Sequence, residues 1–203
     1  NDGGMVINVS KMNTIRFIEG DKLAVGPGCT IAQIYAEILP KNYILPVGSC
    51  GSVCIGGLTM GGGYGLFSRE YGLICDHLIE ATFVDGKGNT HSTKDNKALL
   101  WALKGGGSGN FGVVTEMIFQ LQKAPLGMQA FYFKSRNLDT DRAVQILEKW
   151  FEFSSKLPNS CFSGFVLNGR TLNVIVMNHH KKSKVVQELL SEFEPFMDAY
   201  YPG

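Results

Sequence analysis

Between residues 46 and 65 the chain reads Pro-Val-Gly-Ser-Cys-Gly-Ser-Val-Cys-Ile-Gly-Gly-Leu-Thr-Met-Gly-Gly-Gly-Tyr-Gly, and no other stretch constrains the fold as much. Gly48, Gly51, Gly56, Gly57, Gly61, Gly62 and Gly63, closed by Gly65, surround one cysteine, Cys50. Backbone stripped of side chains to this degree serves two needs. It reaches positive φ, and it lets a flat or charged ligand come close to the main chain. A loop of this kind points N–H groups at phosphate or ring oxygens while one side chain does chemistry.

The remaining composition narrows the classes. A chain of 203 residues with 44% hydrophobic and 18% charged residues has room for one large domain or for one and a half smaller ones. A formal net charge of +1 argues against nucleic acid. Lys181, Lys182 and Lys184 form the one basic cluster and read as a solvated loop or a helix start. No apolar run approaches the ~20 residues of a membrane span, and no signal peptide is visible. The first residue is Asn1 rather than Met, so the chain is expected to begin inside a longer protein. The five cysteines (Cys29, Cys50, Cys54, Cys75 and Cys161) are odd in number and include no C-x-x-C pair. Neither a disulfide framework nor a metal site is expected. Mostly buried thiols in a reducing compartment slightly favour a cytoplasmic location.

Along the chain, residues 5–9, 15–18 and 22–25 alternate as short strands. Thr30 caps a helix running to Leu39, with Ile31, Ile34, Tyr35 and Ile38 on one stripe and Pro40 ending it. Residues 78–85 read as a strand, followed by the turn Asp85-Gly86-Lys87-Gly88-Asn89 and another strand near Thr90. Residues 95–103 read as a helix with Ser92 or Thr93 as cap candidates, and a strand covers 113–120. After Pro125 the order becomes strand (129–133), helix (139–155), a hairpin (161–167 and 171–177) around Asn168-Gly169, and a second helix (184–193). This separate α+β unit places a domain boundary near residue 124.

A second glycine tract, Gly105-Gly-Gly-Ser-Gly-Asn-Phe-Gly112, contains G-x-G-x-x-G. The dinucleotide fingerprint needs a strand before it and a helix after it, and here the order is reversed. A tight backbone path beside a ligand or another strand is the better reading, and two such tracts some forty residues apart suggest one shared ligand. Two readings of Cys50 stay open: an incidental small residue in a turn, or a functional thiol in an electropositive, partly exposed setting. His77, His91, His179 and His180 lack metal-ligand spacing, and His179-His180 reads as a solvated turn. Asp76 reads equally as a cap and as a catalytic group. Tyr64, Arg69 and Tyr71 flank the first tract and could line a ring pocket.

The set 46–50, 55–65, Tyr71-Gly-Leu-Ile-Cys-Asp76 and 105–115 closely resembles the FAD-linked oxidases of the vanillyl-alcohol oxidase (PCMH-type FAD-binding) superfamily. Its nearest branch is similar to the berberine-bridge-enzyme-like oxidases. The resemblance implies an α+β chain with part of a PCMH-type FAD-binding domain over residues 1–124 and the start of a substrate-binding domain over 125–203. It implies FAD as cofactor, joined covalently through Cys50, with a second link through a histidine of a loop that would precede Asn1. Cofactor-binding positions implied are Gly48, Ser49, Cys50, Gly51, Ser52, Gly56, Gly57, Thr59, Gly61, Gly62, Gly63, Gly72, Leu73, Val113 and Val114. Gly56, Gly57, Gly61, Gly62 and Gly63 would bring N–H groups to the pyrophosphate and to the flavin's carbonyl edge. Cys54 and Leu58 stand where relatives often carry glycine and histidine.

The activity so implied is hydride removal from a small alcohol, sugar or amine, with dioxygen reoxidising the flavin. The alternatives are a flavin dehydrogenase using another acceptor, and a non-catalytic binding module that kept the fold. No catalytic base, compartment or oligomeric state is assigned.

Overall fold

The computed structural model of the chain describes residues 2–180 and 183–202. These form two compact units, Asn1–Ser68 with Gly72–Ala124 and Arg69–Tyr71 with Pro125–Gly203.

In the first unit the strands are β1 (Ile15–Phe17), β2 (Lys22–Val25), β3 (Tyr43–Ile44), β4 (Leu78–Val84), β5 (Thr90–Ser92), β6 (Val113–Gln120) and β7 (Gln122–Lys123). Five of them make an antiparallel sheet in the order β1-β2-β6-β4-β5, and β3 pairs with β7. Along β6 the buried residues are Val114, Met117 and Phe119. The three-residue step from Val114 to Met117 coincides with the register irregularity between Thr82 and Phe83 on the partner strand, which re-aims the strand between them.

Helix α1 (Ile31–Ile38) turns Ile31, Ile34 and Ile38 inward at i, i+3 and i+7. Its start is fixed by a reciprocal box: Gln33 N–H donates to Thr30 Oγ1 at 3.3 Å, and Thr30 N–H donates to Gln33 Oε1 at 2.9 Å. Pro40 converts its end to a 3₁₀ turn, and Asn42 takes φ 60° to leave it. Ile34 and Ile38 are fully buried beside Leu23, Ile55, Ile74 and Phe119. Each such side chain contributes about 1.5–3 kcal/mol to folding.

The second unit holds β8 (Gln129–Ser135), helix α5 (Thr140–Lys156), β9 (Cys161–Asn168), β10 (Thr171–Asn178), helix α6 (Lys184–Phe193) and β11 (Ala199–Pro202). Its antiparallel sheet runs β11-β8-β10-β9, and Gly169 at φ 56° turns the β9–β10 hairpin. Asp139 and Ser183 cap the two helices through their side chains. Phe153 of α5 stacks on Phe193 of α6 at 4.8 Å, and Phe133 of β8 meets Phe193 edge-on at 5.2 Å.

Several expectations change. Residues 5–9 form no strand: Met5 and Val6 are each 90% exposed, because alternation alone makes no ladder without a partner. Helix α4 covers Lys97–Leu103 and is capped by Asn96, whose side chain accepts from Leu99 N–H at 2.9 Å. Thr93 is occupied elsewhere, its buried hydroxyl accepting from Ala81 N–H at 2.8 Å. The glycine tract is not all loop, since it contains helix α2 (Ile55–Met60), and a four-residue helix α3 (Ser68–Tyr71) follows. His179 is buried rather than solvated, and Glu70 faces both His179 (3.5 Å) and His180 (3.0 Å). Of the basic cluster, Lys181 and Lys182 lie outside the described residues. Among the described residues no helix is long and apolar enough to cross a membrane.

Candidate functional site

The loop carrying Cys50 is built on the start of α1. Ile31 N–H donates to the Val53 carbonyl at 3.0 Å and Ala32 N–H to the Gly51 carbonyl at 2.9 Å, so the loop satisfies donors that the first helical turn would leave open. Ile55 N–H to Cys29 O (2.8 Å) and Gly56 N–H to Pro27 O (3.0 Å) fix its far end. Val53 N–H closes a turn on the Cys50 carbonyl at 3.3 Å. Cys50 is exposed on that turn, its sulfur 3.3 Å from Ser52 Oγ. The Ser52 hydroxyl, then the Ser52 and Val53 amides, hold the Cys50 thiol below its ordinary range. Burial pushes Cys29, Cys75 and Cys161 the other way.

Helix α2 follows, with Ile55, Gly56, Thr59 and Met60 turned inward. Its six residues include two glycines, so propensity does not hold it; the bond from Gly56 to Pro27 and the burial of Ile55 and Met60 do. Gly62 and Gly63 then take φ 95° and 67° in succession, a path that residues with side chains rarely adopt. Their carbonyls accept from Cys75 N–H (3.1 Å) and Ile74 N–H (3.0 Å). The second tract arrives at the same place. Gly107 N–H donates to Met60 O at 2.8 Å, Ser108 Oγ to Gly57 O at 3.4 Å, and a Cβ on Gly105 would sit 3.5 Å from Gly62 Cα.

The glycines divide by what a methyl group would meet. At Gly56 it would press on Pro27, at Gly63 on Ile74 and Leu58, at Gly65 on the Val47 carbonyl, and at Gly72 on Asp76. These are packing glycines. At Gly57 the nearest atom is Ser108 Oγ at 3.9 Å, at Gly48 it is Tyr64 O at 3.5 Å, and at Gly109 nothing lies within 4 Å. These leave the main chain open. The N–H groups of Gly56, Gly61 and Gly62 donate to the carbonyls of Pro27, Gly57 and Thr59, so those three, expected to point N–H groups at a pyrophosphate, have no spare donor for it.

The remaining expected positions scatter more. Thr59 is fully buried, and its hydroxyl has no hydrogen-bond partner among the described residues. Leu73 is exposed beside Gly72 (φ 82°), with its N–H on Asp76 Oδ2 at 2.8 Å; Asp76 is thus a turn-forming residue. Val113 and Val114 open β6 opposite Val84 and Phe83. Arg69 does not line a ring pocket, since its guanidinium donates to Ser154 O (3.3 Å) and Leu157 O (2.9 Å) at the end of α5. Tyr64 is exposed. Among the described residues no group of three or more acidic, Cys or His side chains is gathered to hold a metal.

Sequence reading did not find Ser108 or Lys104. Lys104 donates to Asp76 O at 3.3 Å, tying the end of α4 to the turn after Gly72. The signal available was that both residues border or interrupt the second glycine tract.

A bare-backbone cradle formed by two glycine tracts, with the exposed thiol of Cys50 on an adjoining fixed turn, fits a flat dinucleotide cofactor. Comparison with known proteins points the same way. A family model described as an FAD binding domain matches residues 1–94. The FAD-linked oxidoreductase YvdP of Bacillus subtilis is 36% identical over 154 residues, which are 74% of this chain and 34% of that protein. Berberine bridge enzyme-like 24 of Arabidopsis thaliana is 34% identical over 157 residues, 75% of this chain and 29% of that one. Among solved structures, Phl p 4, a grass pollen allergen with glucose dehydrogenase activity, superposes with a TM-score of 0.84 at 24% identity, over 97% of this chain and 41% of its own. That last likeness is one of fold. The chain spans about a third of the length of the curated relatives it matches.

Proposed function

We propose that this chain, which belongs to the berberine-bridge-enzyme-like FAD-linked oxidoreductases with a PCMH-type FAD-binding domain, holds FAD between its two glycine tracts. We further propose that it serves an oxidase acting on a small alcohol, sugar or amine, with dioxygen as electron acceptor. The observation that carries the reading is Cys50: an exposed thiol, held below its ordinary range, on a turn anchored next to the helix that begins the cradle.

Residues 1–124 are read as the flavin-holding part and residues 125–203 as the start of the part that shapes the substrate site. Cys50 is the point of covalent attachment. The main chain at Gly48, Ser49, Gly51, Ser52, Gly57, Gly61 and Gly62 is the surface against which the cofactor rests, and Gly56 and Gly63 keep that surface in shape by close packing. Gly72, Leu73, Val113 and Val114 border it. When bound, FAD supplies the acceptor for the substrate's hydride. The protein supplies position, exclusion of water and a covalent tether that prevents loss of the cofactor.

The test is the visible spectrum of the protein carrying this chain, expressed with excess riboflavin, before and after acid precipitation. Yellow colour that stays with the pellet, and whose attachment weakens or whose spectrum changes in Cys50→Ala, supports the reading. Colourless protein under every reconstitution favours the binding-module alternative and overturns it. Hydrogen peroxide released in step with substrate oxidation separates an oxidase from a dehydrogenase.

A further inference from the structure

We propose that Ser52 is the positioning residue of Cys50: its hydroxyl donates to the cysteine sulfur and makes Cys50, not Cys54, the nucleophile of this loop. The two groups lie 3.3 Å apart, Oγ to Sγ, two residues apart in the chain. Their turn is closed by Val53 N–H on the Cys50 carbonyl at 3.3 Å and cannot swing freely. Carbonyls on either side of Ser52, at Gly51 and Val53, are held by the first two N–H groups of α1 at 2.9 and 3.0 Å. Fixed backbone on both sides of Ser52 therefore keeps its hydroxyl within reach of the sulfur.

A donor beside a sulfur favours the thiolate, because a hydrogen bond to a charged acceptor is stronger than one to a neutral acceptor. The direction of the Cys50 shift agrees, with the Ser52 hydroxyl as its largest cause. Cys54 makes the opposite contact. It too is exposed, but its S–H donates to the Gly28 carbonyl at 3.6 Å, a bond only the protonated thiol makes. Sequence offers two exposed thiols four residues apart in one glycine-rich loop, and their hydrogen bonds separate them.

This inference rests on the flavin reading for its purpose, but its test needs no flavin. The protein carrying this chain, expressed under riboflavin depletion so that the Cys50 thiol is free, is treated with iodoacetamide across a pH series, and each cysteine is followed separately by peptide mass spectrometry. In the reaction a thiolate displaces iodide, so that an S–C bond forms, the C–I bond breaks and iodide leaves. Cys50 is expected to react ahead of Cys54 at neutral pH. In Ser52→Ala the Cys50 pH midpoint rises and its neutral-pH rate falls severalfold, while the Cys54 profile stays in place; Ser52→Thr, which keeps the hydroxyl, restores the original profile. A Cys50 profile unchanged in Ser52→Ala overturns the assignment, and so does a Ser52→Thr variant that behaves like Ser52→Ala. A protein without pellet-bound flavin whose alkylation follows the expected pattern refutes the flavin reading alone; tethered flavin with an indifferent Ser52 refutes this inference alone.

Discussion

Replacing Gly57 by alanine separates what this glycine does for the fold from what it does for a ligand. Gly57 lies within α2, and a Cβ built on it meets nothing closer than Ser108 Oγ at 3.9 Å. The methyl group therefore enters without strain. An alanine in place of a glycine at a compatible helical position gains about 0.5–1 kcal/mol, from helix propensity and from the smaller set of unfolded conformations. In a chain of this size that raises the melting temperature by roughly 1–4 °C. The same methyl occupies the open face of the cradle, so less flavin is taken up during expression. Gly65→Ala reverses the first sign: its methyl collides with the Val47 carbonyl and lies 3.1 Å from Gly48 Cα, both main-chain atoms that cannot rotate away. The cost there is about 3 kcal/mol. Urea unfolding read by circular dichroism, beside flavin fluorescence after gel filtration, measures both quantities. A Gly57→Ala protein that melts below the wild type, or that keeps as much flavin, would refute the division into open and packing glycines.

Two further outcomes follow from buried polar groups. Thr59→Val removes a hydroxyl that has no partner among the described residues and keeps the volume, so stability is unchanged or rises by about 1 kcal/mol in a urea titration; a loss of similar size would mean that the hydroxyl is satisfied in solution. Tyr35 donates its phenol to Leu45 O at 2.7 Å, and burial pushes its pKa up to about 12 from 10. Below pH 10 both folded and unfolded chains hold the proton. Above it the unfolded chain ionises first, so stability declines between pH 10 and 12 by roughly 2–3 kcal/mol. Tyr35→Phe lacks that decline, and equal slopes for the two proteins in this window would sink the argument.

The parts of the fold that sequence made legible are those where a local signal and the core agree. Thr30 announces the start of α1, Pro40 its end, and the isoleucine stripe its buried face. The β9–β10 hairpin is equally plain, because Asn168-Gly169 marks its turn. Helix α2 was hidden because its glycines oppose a helix, and what holds it comes from Pro27 and from burial. Residues 5–9 failed for the converse reason: the alternation was present and the partner was not. Within the candidate site, sequence pointed to Cys50 and to both glycine tracts. It could not say which glycines face outward, since that depends on contacts such as Gly57 with Ser108, 51 residues apart. Nor could it tell that His179 sits buried facing Glu70, a residue more than a hundred positions earlier.

The passage of Arg69–Tyr71 into the second unit has a consequence for how that unit is made. Arg69 reaches the ribosome exit 85 residues before Ser154 and 88 before Leu157, the carbonyls it finally binds. Synthesis at about 5–20 residues per second leaves it waiting roughly 4–18 s. The link is paid for in loop closure only once, since each doubling of loop length adds about 0.6 kcal/mol. A ribosome stalled before Leu157 would present a first unit whose sequence is nearly all present, and a three-residue hook with nothing yet to hold. Starting translation at Pro125 would give the reverse, every strand of the second unit and its helices α5 and α6, but never the arginine of α3 that binds the end of α5.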